Sequence, residues 1–358
     1  MALSRIVEKS RKELRRVHQR WLAHRYRREV AARTRRIHGN FGPVCQDDLV
    51  VVALMRDAEK HVAPFVRHHQ QLGARHIVLM DNNSVDASVD SARQFDEVTV
   101  LKCDTPFATH KFAMKRYLSD RFGQKCWCLI ADIDERFDYP YSGELPLSDF
   151  LGYLNRRGFS AVVAQMLDLF SDGPWHEWPD VADGLEKDCR FFDVSGIEQK
   201  EYRAHRTNVV GEGEIQKWYG GIRKTVFAMR NSPNLTKHPL LFPGRGAVPY
   251  FQSAHKCRHA HIADVTCVLK HYKFDRDFYR RCQVAVDRKN YYKESTEYRD
   301  YLSALQEEPQ LSLKQETAQE YFSASALAEA GLLWVSPAYR DCCQKMSRRR
   351  GASWFVGR

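Results

Sequence analysis

Four short apolar runs alternate with amphipathic segments between residues 49 and 135, and this alternation constrains the fold more than any other feature. The first run is rich in β-branched residues, and all four have lengths that suit buried strands. The first intervening segment has helical periodicity and ends at Gly73, a residue type that commonly ends helices. Strands that alternate with helices predict an α/β protein with a mixed, mostly parallel, Rossmann-like sheet flanked by helices. The runs read LVVVALM, HIVLMD, EVTVLKC and CWCLIADIDE.

Charged side chains follow three of these runs, at the edge where ligands bind in parallel sheets. They are Arg56 and Asp57, then Asp81, and finally Asp132, Asp134 and Glu135. In Asp-Ile-Asp the two outer side chains leave an extended backbone on the same side. Two carboxylates at this spacing suit Mg²⁺ or Mn²⁺, which would neutralise their repulsion and bind a diphosphate group. The alternative is a solvated loop in which one acid caps the next turn.

The order of motifs over residues 48–285 resembles the family 2-like glycosyltransferases with a GT-A fold. VVALMRDAEKHVAPFVRHHQQLGARHIVLMDNNSVD resembles their opening strand, helix and second strand, and CLIADIDE resembles their DxD strand. Asp57 departs from the family, which usually has Asn there. Five later blocks resemble the same group in the same order: MLDLFSDGP, RFFDV, GGIRKTVF, LTKHPLL and VLKHYKF.

The resemblance implies a nucleotide-sugar donor (a UDP-sugar), a divalent cofactor (Mn²⁺ or Mg²⁺) and transfer to a hydroxyl of a glycan or lipid-linked acceptor. It implies that Asp81 contacts the ribose or base, and that Arg56 and Glu59 line the same pocket. Asp132 would contact the ribose or the metal. Asp134 would bind the metal directly, together with a late histidine, His271. Cell-surface polysaccharide or lipopolysaccharide synthesis is the expected setting.

The catalytic base is harder to assign. An inverting transfer needs a carboxylate that deprotonates the acceptor hydroxyl. No Asp or Glu occurs between Asn231 and Ile262, the stretch after GGIRK where many GT-A enzymes keep theirs. Asp168 and Asp172, at the end of another apolar run, are therefore the candidate bases. Arg223 in GGIRK is a candidate for binding phosphate or sugar, although paired glycines also form ordinary tight turns.

The charge of the chain is concentrated at its N-terminus. Residues 1–36 hold 13 Lys or Arg and 3 acids, which gives +10 of the total net charge of +11. Apolar residues recur there at helical spacing: Leu3, Val7, Leu14, Val17 and Trp21. A basic amphipathic helix with a Trp predicts a contact with an anionic membrane surface. Packing on the body or on a protein partner is the alternative, and nucleic acid is not expected because the remaining chain is nearly neutral.

The sequence thus predicts a basic helical arm over residues 1–40, a GT-A domain over 45–285 and a helical extension with a basic tail over 286–358. No apolar stretch reaches the roughly 18 residues needed to span a bilayer, and the N-terminus has no signal-like apolar segment. Ten cysteines without disulfide-framework spacing add to the expectation of a cytoplasmic protein, peripheral at the inner face of the membrane.

Other classes of function stay open. A haloacid-dehalogenase-type phosphatase also places DxD after a strand, although Glu135 stands where that fold usually has Thr or Val. A non-catalytic relative that only binds a sugar nucleotide is a further alternative. His255, Cys257, His259 and His261 alternate as zinc ligands could, but one strand cannot surround a tetrahedral ion.

Overall fold

The computed structural model describes residues 2–181, 184–211, 213–251, 253–288 and 292–349, with side chains left out at 2–13, 15, 16, 292–294 and 349. The basic tail predicted after residue 349 lies outside these ranges. The helices are α1 Ala2–Arg33, α2 Glu59–Leu72, α3 Ser88–Arg93, α4 Phe107–Phe122, α5 Leu147–Arg156, α6 Leu185–Asp188, α7 Ile222–Thr225, α8 Phe278–Arg288, α9 Tyr292–Glu307, α10 Ala324–Glu329 and α11 Pro337–Arg349. The strands are β1 Thr34–His38, β2 Leu49–Met55, β3 His76–Asp81, β4 Val98–Cys103, β5 Trp127–Ile130, β6 Glu135–Asp138, β7 Ala161–Asp168, β8 Phe191–Phe192, β9 Ile197–Glu201, β10 Val209–Val210, β11 Gln216–Gly220, β12 Thr236–Leu241, β13 Val248–Tyr250, β14 Ser253–Arg258, β15 His261–His271 and β16 Gln319–Glu320.

A ten-stranded sheet forms the centre of the molecule, in the order β1-β4-β3-β2-β5-β12-β7-β15-β10, with β6 also paired to β15. Strands β2 to β5 are parallel to one another, as are β7, β15 and β10. Strands β1, β6 and β12 run in the opposite direction. The predicted mixed, mostly parallel, Rossmann-like α/β sheet is confirmed, and the four apolar runs contribute β2 to β5.

Helices cover both faces of this sheet, which explains why β2 and β7 are buried at every position. One face packs on α2, α5 and α11 in the larger core, and the other packs on α4 and the end of α1. Gly73 ends α2 in the left-handed conformation, with φ of 104°, as its position in the sequence predicts. The packing therefore leaves the carboxyl ends of the parallel strands as the edge available for a site.

The segment after residue 286 packs on the sheet domain. Helices α8 and α9 share an aromatic cluster with residues from earlier loops, in which Phe227, Phe274, Phe278 and Tyr301 are buried. Tyr339 of α11 is buried in the larger core and donates a hydrogen bond to the carbonyl of Pro140 at 2.9 Å. The helical extension is thus part of the same hydrophobic interior.

The N-terminal arm has two halves with different surroundings. Near its end, Val30 is fully buried against α4, and Arg27 pairs with Asp120 at 3.0 Å. Strand β1 follows immediately and pairs antiparallel with β4, although its residues were expected in the arm and its linker. Earlier in α1, the side chains of Leu14, Val17 and Trp21 are 69%, 63% and 55% exposed. None of the helices in the described part of the chain is long and apolar enough to cross a bilayer.

Candidate functional site

Strands β2 and β3 end side by side, because Met55 and Asp81 are register partners in the parallel pair. Asp81 is buried, and its Oδ1 accepts a hydrogen bond from the Ser84 amide at 3.0 Å. Its Oδ2 is also buried and has no hydrogen-bond partner among the described residues. A buried acceptor without a donor is costly in free energy. Asp81 therefore offers an oxygen that a hydroxyl or N–H group of a ligand would satisfy.

The loop after β2 is tied to the loop after β3. Asp57 has φ of 49°, and its amide donates to Ser84 Oγ at 3.0 Å. The amide of Glu59 donates to Asp86 Oδ2 at 3.0 Å. Arg56 is exposed, with its Nε 3.9 Å from the Asp57 carboxylate, and the Glu59 side chain is exposed as well. Arg56 and Glu59 therefore lie at the rim of the same strand-end edge as Asp81.

Asp132, just beyond β5, is held between two lysines. Lys115 of α4 donates to its Oδ1 at 2.5 Å, and Lys237 of β12 donates to its Oδ2 at 2.9 Å. Lys237 also donates to the buried carboxylate of Glu135. Burial acts to raise the pKa of Asp132, but the two lysines outweigh it and hold that pKa well below its usual range. Burial lowers the pKa of the neighbouring Lys111, and the charge of Lys115 lowers it further.

His271 bridges two carboxylates. It ends β15, where the parallel register places it beside Asp168 at the end of β7. Its Nδ1 donates to Asp168 Oδ1 at 2.6 Å, and its Nε2 lies 3.3 Å from Asp134 Oδ2. Burial acts to lower the pKa of His271, but the two carboxylates outweigh it and raise that pKa. Each ring nitrogen therefore faces a carboxylate oxygen, Nδ1 that of Asp168 and Nε2 that of Asp134.

Both carboxylate oxygens of Asp168 accept hydrogen bonds from neighbouring side chains. Arg223 of α7 donates to both of its oxygens, at 2.7 and 2.9 Å, in addition to the contact from His271. Burial acts to raise the pKa of Asp168, yet the Arg223 guanidinium and His271 hold it below its usual range. A carboxylate with both oxygens occupied and a lowered pKa is poorly prepared to accept a proton. These contacts favour a positioning role for Asp168 over a role as base.

Asp172 lies apart from this cluster. Its side chain is 66% exposed and accepts a hydrogen bond from Lys314 Nζ at 2.6 Å. No contact in the described part of the chain joins its carboxylate to Asp132, Asp134 or His271. The structure thus brings together Asp132, Asp134, Asp168, Arg223 and His271, and it places Asp172 outside their hydrogen-bonded contacts.

Several charged residues of the site were not assigned from the sequence. Lys237 is a lysine inside β12, a strand that is buried at all six positions, and the fold is what shows this burial. Lys115 had no distinguishing signal in the helical pattern of α4. Glu297, from α9, lies 3.2 Å from Lys273 Nζ and 4.0 Å from Arg223 Nη1. Lys273 is the main cause that lowers the pKa of Glu297 to about 2, while burial opposes it.

The geometry can be tested for a divalent cation. Within the described ranges, no group of three or more His, Cys, Asp or Glu is arranged to hold a metal ion. Asp134 and His271 nevertheless face each other, whereas the oxygens of Asp132 are occupied by lysines. Mg²⁺ and similar ions are often bound by one or two protein groups plus substrate phosphates and water. Asp134 and His271 fit a metal that binds together with a diphosphate.

The alternating His/Cys motif does not converge on one point. His255 Nδ1 donates to the Thr236 carbonyl at 2.9 Å, and His261 Nδ1 donates to the Gly158 carbonyl at 3.1 Å. Cys257 is buried beside Asn208, which donates to its Sγ at 3.6 Å. These separate partners disfavour the zinc alternative.

Comparisons with known proteins add little to the geometry. No family model matches the chain, and no curated protein matches its sequence. Among solved structures, it is similar to the mannosyltransferase PcManGT from Pyrobaculum calidifontis, determined in complex with GDP-Man and Mn²⁺. The identity is 11%, the alignment covers 95% of this chain and 86% of that one, and the TM-score is 0.30. At that TM-score the likeness carries no argument about the activity of this chain.

Proposed function

We propose that this protein is a metal-dependent glycosyltransferase, which moves a sugar from a nucleotide-sugar donor to a hydroxyl of a glycan or lipid-linked acceptor. The observation that supports it most is the constellation at the strand ends, where His271 faces Asp134 beside the lysine-held Asp132. Acidic and imidazole groups suit a divalent ion, and clustered lysines suit a diphosphate. The motif order of the sequence supports the same conclusion.

Each side chain has a role in this proposal. Asp81 accepts a hydrogen bond from the ribose or base through its unpartnered Oδ2, with Arg56 and Glu59 at the rim. Lys115, Lys237 and Asp132 bind the ribose and diphosphate region. Asp134 and His271 would hold Mn²⁺ or Mg²⁺, which when bound supplies Lewis-acid stabilisation of the leaving diphosphate. The choice of a UDP-sugar in particular is supported by the resemblance of the sequence to family 2-like glycosyltransferases.

Asp168 and Arg223 act on His271 in the same proposal. Asp168 accepts a hydrogen bond from Nδ1 of His271 and thereby fixes the imidazole with Nε2 directed at Asp134. Arg223 holds the Asp168 carboxylate in place through two hydrogen bonds. The buried ion pair therefore sets the orientation of a metal-binding group rather than performing the proton transfer.

For the chemical step we propose inversion at the anomeric carbon, with Asp172 as general base, because its carboxylate is exposed and has one lysine partner at the surface, whereas Asp168 is buried with both oxygens occupied. We expect Asp172→Ala to lower the transfer rate about 10²–10⁴-fold while donor binding persists. NMR of the first-formed product measures the anomeric configuration. A retained configuration would exclude inversion, and full activity of Asp172→Ala would exclude this base.

Asp134→Asn tests the proposed activity as a whole. The variant should lose Mn²⁺-dependent binding of UDP, because it removes the carboxylate that would bind the ion beside His271. Titration calorimetry with UDP, with and without Mn²⁺, provides the measurement, and thermal unfolding shows whether the fold persists. Asp90→Asn is the matched control, since Asp90 is an exposed acid on α3, with its side chain 74% exposed. Equal Mn²⁺-dependent binding by both variants would contradict the assignment.

The same assay separates the alternative classes. A transferase hydrolyses its sugar nucleotide slowly in the presence of metal when no acceptor is present, whereas a binding relative does not. Hydrolysis of a phosphate monoester without any turnover of sugar nucleotides would favour the phosphatase. A screen of UDP- and GDP-sugars for metal-dependent hydrolysis also identifies the donor.

We also propose that the arm holds the protein on an anionic membrane surface, at the cytoplasmic face. Leu14, Val17 and Trp21 are exposed at spacings that place them on one side of α1. Basic side chains surround this apolar stripe. A helix of this composition binds at the headgroup boundary through apolar burial and attraction to anionic lipids. Cell-surface polysaccharide or lipopolysaccharide synthesis is the setting that such a location would serve.

A further inference from the structure

A cleft of about 930 Å³ lies between the arm and the body, and we call it the basic cleft. Its walls come from α1, β12, β13, β14 and the loop over residues 202–208. None of the described residues in its wall is Asp or Glu. Six are Lys or Arg: Arg20, Arg203, Arg206, Lys217, Lys256 and Arg258.

Most of these cations have no counter-ion among the residues that the structure describes. Arg203 is the one with a carboxylate at ion-pair distance within the described ranges, namely Glu201 at 3.2 Å. Lys256 and Arg258 instead lie 5.9 and 4.4 Å from the ring centre of Tyr250. Such contacts offset only part of the repulsion between neighbouring cations. The cleft therefore concentrates positive charge that an anionic ligand would neutralise.

Buried polar atoms also line the cleft, and one of them lacks a hydrogen-bond partner within the described part of the chain. His238 is only 6% exposed, and its Nε2 lies within hydrogen-bond distance of the Tyr202 hydroxyl at 2.5 Å. The ring also lies beside the backbone of His255, whereas Nε of Arg258 is buried without a hydrogen-bond partner among the described residues. Unsatisfied buried polar atoms in a roomy polar cavity indicate a missing ligand or water.

Two histidines of the cleft, His238 and His205, have lowered pKa values, first because of burial and then because of nearby positive charge. Burial lowers the pKa of His238 to about 3, and His255 and Lys217 contribute to the shift. Burial also lowers the pKa of His205, to which Arg258 and Arg206 add. The rings are therefore neutral near pH 7, which leaves the lysines and arginines as the cations of the cleft.

The basic cleft adjoins the strand-end site. His238 follows Lys237, whose ammonium group contacts Asp132. His255 lines the cleft, and burial and the charge of Lys237 lower its pKa to about 4, while Asp132 acts weakly in the opposite direction. Because the lysines and Asp134 at the strand ends already account for the diphosphate of the donor, the cleft is available to a second anionic molecule.

We infer that the basic cleft binds phosphate groups of the acceptor, so that the acceptor is a phosphate-bearing molecule rather than a neutral glycan. This inference rests on the proposed transferase activity and specifies its second substrate. Two sources have this chemistry, namely a lipid-linked glycan diphosphate and a soluble phosphorylated glycan.

The arm connects this cleft to the membrane. Gln19, Arg20 and Ala23 line the cleft, and helical geometry puts them on the side of α1 opposite Leu14, Val17 and Trp21. A helix with its side chains is about 10 Å across. When the apolar stripe lies on a bilayer, the cleft stands about one helix diameter above the lipid head groups, within reach of a lipid-linked diphosphate.

The test uses the full chain with UDP and Mn²⁺ at saturating concentration, and the heat of Mn²⁺ binding by inorganic pyrophosphate, measured without protein, is subtracted so that the titration reports on the cleft. The variant is Arg206→Gln combined with Lys256→Gln, because both side chains are exposed and neither has a carboxylate partner among the described residues. Arg157→Gln, an exposed arginine at the end of α5, is the matched control. Calorimetry at constant ionic strength measures the affinity.

We expect the double variant to bind pyrophosphate about tenfold or more weakly than the wild type and the control. Equal affinity in all three proteins overturns the inference. Loss of UDP binding in the double variant also overturns it, because the cleft would then belong to the donor site. If the wild type binds pyrophosphate but never UDP with Mn²⁺, the proposed transferase function fails while the cleft remains an anion site.

A competition experiment separates the two sources. Vesicles of neutral lipid that contain a polyprenyl diphosphate, and a soluble sugar phosphate, are each tested as competitors of pyrophosphate. Stronger competition by the vesicles assigns the cleft to a lipid-linked acceptor, and stronger competition by the sugar phosphate assigns it to a soluble one. No competition by either molecule overturns the inference.

Discussion

At the scale of single residues, the bridge from Arg223 through Asp168 to His271 shows how a buried ion pair can orient a neighbouring histidine. Asp168 is among the most enclosed charged groups of the site, and its two oxygens accept three hydrogen bonds. Arg223 is buried as well. Removing one charge of such a pair leaves the other without compensation in a poorly solvated environment.

Asp168→Asn is therefore expected to lower the free energy of unfolding by about 3–5 kcal/mol. It should also weaken Mn²⁺ binding about 10–100-fold, because the imidazole of His271 loses its negatively charged acceptor. Denaturant unfolding and Mn²⁺ titration in the presence of UDP are the measurements, with Asp90→Asn as the exposed control. Unchanged stability and metal affinity, together with a large loss of rate, would instead indicate that Asp168 is the base.

A second residue-scale prediction concerns Glu297, whose pKa is lowered to about 2 by Lys273, against the effect of burial. Its stabilising contribution is present above the pKa of an unfolded glutamate, near 4.5, and is lost as the pH falls towards 2. Because 40% of the side chain is exposed, solvent screening limits this contribution to about 1 kcal/mol.

Glu297→Gln should thus be less stable than the wild type at pH 7, and the difference should shrink steadily below pH 4.5. Urea unfolding at a series of pH values measures this difference. Glu307→Gln, at the exposed end of the same helix, serves as control and should match the wild type throughout. A difference that does not depend on pH would show that the charge of Glu297 is not what stabilises the fold.

At the scale of secondary-structure elements, the arm has to be tested without disturbing the sheet. A deletion up to Phe41 would remove β1 and the buried Val30 along with the amphipathic half of α1. Substitutions on the exposed stripe avoid this problem. Leu14→Gln combined with Trp21→Gln removes apolar area and leaves the basic charge intact.

The double variant should bind anionic vesicles about tenfold or more weakly than the wild type, because apolar burial contributes alongside the charges. High salt should release the wild type, since the attraction of Lys and Arg to the surface is screened. Co-sedimentation measures both effects. Val209→Gln, another exposed apolar position, is the control. Equal vesicle binding by all three proteins would argue for a protein partner of the arm instead.

Elements with a strong local pattern were predictable, and elements defined by long-range pairing were not. Strands β2 to β5 are continuous apolar runs, so their burial is visible in the sequence. Strand β1, TRRIH, lies at the sheet edge and has no apolar run to mark it. The antiparallel placement of β12 between β5 and β7 depends on contacts between residues far apart in the chain. The contacts of Lys115 and Lys237 with Asp132 were not predicted for the same reason.

At the scale of the whole molecule, the site draws on every region of the chain. Sheet strands supply Asp81 and His271, and α4 supplies Lys115. Glu297 comes from α9 in the C-terminal extension, and the arm supplies Arg20 to the basic cleft. Local sequence patterns identify the acidic strand ends, but only the folded chain shows which cations and which helices complete them.

The direct passage from α1 into β1 has a geometric consequence. Arg33 ends the helix and Thr34 begins a strand that is hydrogen-bonded to β4, so no linker separates the arm from the sheet. The arm therefore cannot pivot freely, and its axis has a set angle to the strands. An enzyme anchored through this helix would present its strand ends to the bilayer at one inclination. Acceptors in the membrane would then always reach the strand ends from the same side.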